Sequence, residues 1–145
     1  MLELIAAVRP GVRLREVGRD DELVAVGGGE IFRLPLTAQA LGRQAMLVAA
    51  LPALRPLLPV AVPVPRRVGV LADGQTPFTA ERRLAGEPVA VPSGIAAAQW
   101  EGVLAALDAL APGRLREWGV EVAPRPRVLL ADPGRGVLTG LVDWR

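Results

Sequence analysis

The chain has 145 residues, is 51% hydrophobic and 22% charged, and carries a formal net charge of +2, a composition that supports a folded core and excludes a disordered segment. All 17 basic residues are Arg, and Lys, His, Cys, Tyr and Asn do not occur. Their absence excludes Cys/His zinc sites, Cys nucleophiles, His general bases, Ser-His-Asp triads, Schiff-base lysines, the Walker lysine and any disulfide, and leaves chemistry to Asp, Glu, Arg, Thr, the single Ser93 and the backbone.

The first residues carry Glu3 and no basic region ahead of an apolar stretch, unlike a secretory signal. Residues 14–17 and 23–26 read as short strands joined by the polar turn 18–21, and Gly27-Gly28-Gly29 turns the chain tightly into a third strand over 30–34. Pro35 ends that strand. Thr37 is the expected N-cap of a helix over 38–54, with Leu41, Ala45, Val48 and Leu51 at helical spacing. Pro52 and Pro56 are expected to fray or stop it. The run 45–54 is apolar but short of the roughly 18 residues that cross a bilayer, so no membrane partner is expected and the chain reads as cytoplasmic.

A proline-rich crossing over 56–65 favours an extended, semi-rigid connector. Residues 66–71 and 77–84 read as two further strands around the turn Asp73-Gly74. Pro88 and Pro92 break regularity. Ser93 is then expected to cap a long helix over 93–112, with Ile95, Trp100, Val103, Leu104, Leu107 and Leu110 as its apolar stripe and Gly113 as its end. An irregular stretch over 114–126 leads to a terminal hairpin over 127–143, turned by 132–136. This order predicts an α+β protein: an antiparallel sheet with one helix on a face, then a long helix and a hairpin.

Four stretches in this order carry a family resemblance: GGGEIFRLP at 27–35, LPVAVPVPRRVG at 58–69, PFTAERRLAGEP at 77–88 and VLLADPGRGVLTGLVDW at 128–144. Together they resemble bacterial aminoglycoside phosphotransferase-like proteins, small-molecule kinases of protein-kinase-like fold. The resemblance implies a kinase-like N-lobe over 1–88, with its hinge at about 79–88, and a rudimentary C-lobe over 89–145. It also implies ATP and Mg²⁺ as cofactors. By position, Arg33 is the basic residue that meets nucleotide phosphates, where a guanidinium holds oxygens in pairs. The turn 18–21 is the loop over the nucleotide, although it is not glycine-rich. Thr79, Glu81 and Arg83 lie in the hinge that binds the base through backbone groups. Asp143 is the magnesium aspartate, a carboxylate at a strand end.

The sequence also departs from the family pattern. Gln44 stands where a Glu pairs with the basic residue of the third strand, so it is expected to accept a hydrogen bond from Arg33 without an ion pair. Ala123-Pro124-Arg125-Pro126-Arg127 stands where the family has its His-Gly-Asp…Asn catalytic loop, and no catalytic residue is assigned. Losing a general base costs about 10²–10⁴ in rate. The helical stretch ahead of that loop is largely absent, so the chain reads as shortened and its acceptor is not encoded. Asp132 and Asp108 have ordinary readings, as a turn residue and a solvated helix residue.

The expected function is therefore that of a small-molecule O-phosphotransferase with little or no activity. Two rival readings are a non-enzymatic nucleotide-binding or protein-interaction module that self-associates or takes a partner chain through exposed apolar faces, and a decayed or derived gene product. A nucleic-acid partner is not expected. The pI of about 10.8 reflects the lack of groups titrating below Arg and not a dense positive field, and aromatic residues are only 3% of the chain.

Overall fold

A computed structural model describes residues 1–145. Its elements in chain order are α1 (Leu2–Val8), β1 (Arg15–Arg19), β2 (Glu22–Gly27), β3 (Glu30–Pro35), α2 (Ala38–Leu54), a 3₁₀ turn (Arg55–Leu57), β4 (Arg66–Val70), β5 (Pro77–Arg82), β6 (Glu87–Val89), α3 (Gly94–Asp108), α4 (Pro112–Glu117), β7 (Pro126–Asp132) and β8 (Val137–Trp144). This is the expected α+β organisation. The chain divides into two compact units, Met1–Val48 with Val64–Arg83, and Ala49–Pro63 with Leu84–Arg145.

The first unit is built on an antiparallel five-stranded sheet in the order β1-β2-β3-β5-β4. The turn between β2 and β3 places Gly28 and Gly29 at φ 59° and 77°, between the paired residues Gly27 and Glu30. Two consecutive left-handed residues make the hairpin turn that matches strand twist, and glycine adopts them without penalty. Alternation then sorts the two faces. Leu23, Ala25, Phe32, Leu34, Phe78 and Ala80 are buried together on one face, and Ile5 of α1 joins them with Leu2, Leu4 and Val8 packed alongside. The helix α1 is not among the elements expected from the sequence. It is a seven-residue helix of about two turns, too short to announce itself by periodicity, and the sheet stabilises it through Ile5, which is fully buried.

Thr37 caps α2 as expected, its Oγ1 accepting from the Ala40 N–H at 3.1 Å. Pro52 does not stop the helix, which continues to Leu54. The proline removes one donor only, and burial of Ala50, Leu51 and Leu54 holds the last turn.

The second unit contains a three-stranded antiparallel sheet, β6-β7-β8. The stretch 58–62, read from sequence as a connector, is part of this core. Leu58, Val60 and Val62 are buried at alternate positions, and the Ala61 carbonyl accepts from the Leu141 N–H at 3.0 Å. With every residue apolar or proline, no alternation was visible there. The long helix ends at Asp108, short of the expected 112, and Pro112 starts the separate helix α4, so Gly113 lies inside a helix and does not end one. Ser93 makes no side-chain capping bond. α3 is fixed to the hairpin by Gln99, whose Oε1 accepts from the Leu138 N–H at 2.7 Å.

Candidate functional site

Strand β3 presents Phe32 and Leu34 to the core and Arg33 to the opposite face. Arg33 lies opposite Val24 on β2 and Thr79 on β5. Two positions from those partners, on the same face, stand Glu22 and Glu81. Arg33 donates from Nε to Glu81 Oε1 at 2.7 Å and from Nη1 to Glu22 Oε1 at 2.8 Å. No bond engages its Nη2. Burial alone would lower the Arg33 pKa, but the Coulombic pull of Glu81 and Glu22 and their hydrogen bonds reverse this, and the pKa is raised. The guanidinium is charged at every accessible pH.

The chain of charges continues to α2. Arg43 holds Asp21 with two bonds of 2.8 and 2.9 Å and lies 3.8 Å from Glu22. Asp21–Arg43–Glu22–Arg33–Glu81 is thus an alternating network of three carboxylates and two guanidiniums. It fastens the turn 18–21 and β2 to α2, and β2 to β5 through β3. Thr79 is buried directly opposite Arg33.

Gln44 does not act as expected. Its Nε2 donates to the Pro77 carbonyl at 3.0 Å, and its buried Oε1 has no hydrogen-bond partner. Arg33 does not bond to it, because two ionised carboxylates outcompete a neutral amide for a guanidinium. Glu22 and Arg43 are not among the residues expected from the sequence, Asp21 is expected only as part of the turn 18–21, and Glu81 only as a backbone group of the hinge. The signal was present in the strand alternation, which puts Glu22, Val24, Arg33, Thr79 and Glu81 on one face once the pairing is known.

β4 pairs with β5 only as far as Ala80. The backbone of 81–83 is held on the β3 side, where Ile31 faces Glu81 and the Arg83 N–H donates to the Gly29 carbonyl at 2.9 Å, and it has no strand on the other side. The Arg83 side chain is exposed and borders the β2–β3 turn.

In the second unit, Asp143 sits in β8 at φ 55°, the only non-glycine residue with positive φ. Its Oδ1 lies 3.7 Å from Arg145 Nε. Residues 123–127 contain no carboxylate. Arg125 pairs with Asp108 at 2.7 Å and exchanges both backbone hydrogen bonds with Arg145. Asp132 caps its own turn, accepting from the Gly134 N–H at 2.9 Å, as the sequence suggested.

No protein-family model matches the chain, and no curated protein matches it by sequence. Solved structures do match. The GDP and kanamycin complex of APH(2")-IIia aligns with 98% of this chain and 71% of its own length at TM-score 0.78 and 18% identity. The GDP complex of wild-type aminoglycoside 2'-phosphotransferase-IIIa aligns with 87% of this chain, which spans only 46% of that protein, at TM-score 0.69 and 21% identity. The macrolide 2'-phosphotransferase MphH from Brachybacterium faecium aligns with 99% of this chain and 70% of its own length at TM-score 0.63 and 23% identity. The chain has the kinase-like fold of these aminoglycoside and macrolide phosphotransferases.

The implied cofactors fit unequally. A nucleotide phosphate suits Arg33, whose Nε and Nη1 are fixed while Nη2 offers two N–H groups. For magnesium, the chain offers the single carboxylate of Asp143, with Arg145 Nε 3.7 Å from its Oδ1; Mg²⁺ is commonly held by one or two carboxylates together with substrate phosphates.

Proposed function

We propose that this chain is a nucleotide-binding unit of phosphotransferase fold, with little or no phosphoryl transfer to a small-molecule hydroxyl by itself. The observation that carries this reading is the Arg33 guanidinium, anchored by Glu22 and Glu81 with Nη2 left free. An anchored guanidinium meets a phosphate without first losing side-chain freedom. The open backbone edge at 81–83 supports recognition of a planar base by main-chain groups, with Thr79, Glu81 and Arg83 as its frame. Gln44 supports the site from behind, through Pro77 at the start of β5.

The absence of a carboxylate from 123–127 supports weak or no transfer, because no group in that stretch accepts the proton of an attacking hydroxyl. Asp143 is a candidate metal ligand by resemblance only, and no step is assigned to it.

Calorimetric titration of ATP and GTP, with and without Mg²⁺, tests the reading; GTP is included because two matched structures are GDP complexes. Saturable heat that is lost in Arg33→Met is expected, and no heat with either nucleotide overturns it. A coupled assay showing magnesium-dependent turnover that disappears in Asp143→Ala overturns the inactive part.

A second reading, an interaction module, draws on Val91, Ile95 and Val122 of the second unit, which are 82%, 63% and 69% exposed. A monodisperse monomer in size-exclusion chromatography with light scattering argues against it.

A further inference from the structure

At the other end of β3 from Arg33, the turn Gly28-Gly29 borders a cleft of about 270 Å³ whose charged lining is Arg13, Arg15, Arg83 and Glu30. The backbone holds each arginine in place. Arg83 donates its N–H to the Gly29 carbonyl, and Arg15 is paired with Val26. Arg13 is brought in by close approach: a Cβ on Gly27 would stand 2.5 Å from the Arg13 carbonyl oxygen and 2.9 Å from Leu14 Cδ2. Glycine at 27 is therefore required for the segment before β1 to lie on the turn.

The charge of this cleft is uncompensated. Glu30, its one carboxylate, is taken by Arg9 through bonds of 2.6 and 3.2 Å. Arg13, Arg15 and Arg83 make no ion pair and no side-chain hydrogen bond. Three guanidiniums on fixed backbone repel one another, and a multivalent oxyanion relieves that repulsion while gaining charge-assisted bonds from planar forks.

We propose that this cleft binds phosphoryl oxyanions through Arg13, Arg15 and Arg83. It is separate from Arg33, which lies four residues from Gly29 and so roughly 13 Å along the strand. Arg83 is shared with the base frame proposed above, whereas Arg13 and Arg15 belong to this cleft alone, and binding of pyrophosphate here does not require that a base is bound.

The test uses the whole chain, titrated without metal by calorimetry and ³¹P NMR with inorganic pyrophosphate. A second arm uses ATP in competition with pyrophosphate, to separate free phosphates from nucleotide phosphates as the source. Saturable pyrophosphate binding is expected, weakened about tenfold by each of Arg13→Gln, Arg15→Gln and Arg83→Gln and unchanged in Arg114→Gln, an exposed arginine of α4. All four positions are solvent-exposed, so the variants keep the wild-type unfolding midpoint. Competition by ATP assigns the cleft to nucleotide phosphates, and its absence assigns it to free ones; both support the site. No saturable binding, or equal weakening by Arg114→Gln, overturns it.

Discussion

Nε of Arg33 lies 2.7 Å from Oε1 of Glu81, a residue 48 positions later in the chain, so the ion pair ties β3 to β5. Arg33 is only 19% exposed and Glu81 6%. Removing the guanidinium leaves Glu81 and Glu22 facing each other with little water. Arg33→Met is expected to cost about 3 kcal/mol, in the lower part of the range for breaking a buried pair. Urea denaturation of Arg33→Met, Glu81→Gln and the double variant measures the coupling. A coupling energy near zero refutes an energetic link between the two strands through this pair.

Gly69 of β4 lies against the Phe78 ring. A Cβ at Gly69 would stand 2.6 Å from both Cε1 and Cζ of Phe78 and 3.3 Å from Val8 Cγ1. The ring is buried in the core between α1 and the sheet. Gly69→Ala is expected to destabilise by about 1–3 kcal/mol through overpacking. Combining it with Phe78→Leu should recover part of that loss relative to the sum of the single variants. Strict additivity in thermal unfolding counts against a direct clash.

The fold was readable where pattern and punctuation agreed. The glycine turn, Thr37 and the Asp73 and Asp132 turns each had a local mechanism, and the structure uses each of them. Partners that are distant in sequence leave no such local signal. Nothing near Arg33 in the chain announces Glu81, and only the antiparallel register β2-β3-β5 brings Glu22, Arg33 and Glu81 to one face. The position of Gln44 on its helix does not reveal that Glu22 and Glu81, far off in sequence, compete with it for Arg33. The 58–62 segment was hidden by its uniform apolarity, and α1 by its brevity.

Arg9 and Glu30 join the end of α1 to the start of β3 through bonds of 2.6 and 3.2 Å. The hydrogen bond from Arg9 holds the Glu30 carboxyl below its ordinary range, against desolvation, which raises it. A depressed folded-state pKa adds stability that is fully present above the unfolded value and lost as pH falls through the folded one. Wild type should therefore lose stability on acidification below the ordinary Glu range more steeply than Glu30→Gln. Unfolding midpoints followed across that acid range check this, and parallel curves for the two proteins refute it.

Asp143 sits at φ 55°, where a Cβ is crowded by the following carbonyl oxygen and Asp and Asn are among the better-tolerated side chains. Asp143→Ala is expected to be less stable than Asp143→Gly by about 1 kcal/mol, although glycine adds more entropy to the unfolded chain. Asp143→Asn, which keeps the tolerance and removes the charge, should match wild type within about 0.5 kcal/mol, because the Arg145 contact at 3.7 Å is long and half-exposed. If Asp143→Asn instead falls to the level of Asp143→Ala in denaturant titration, the carboxylate charge and not the backbone conformation sets the residue at this position.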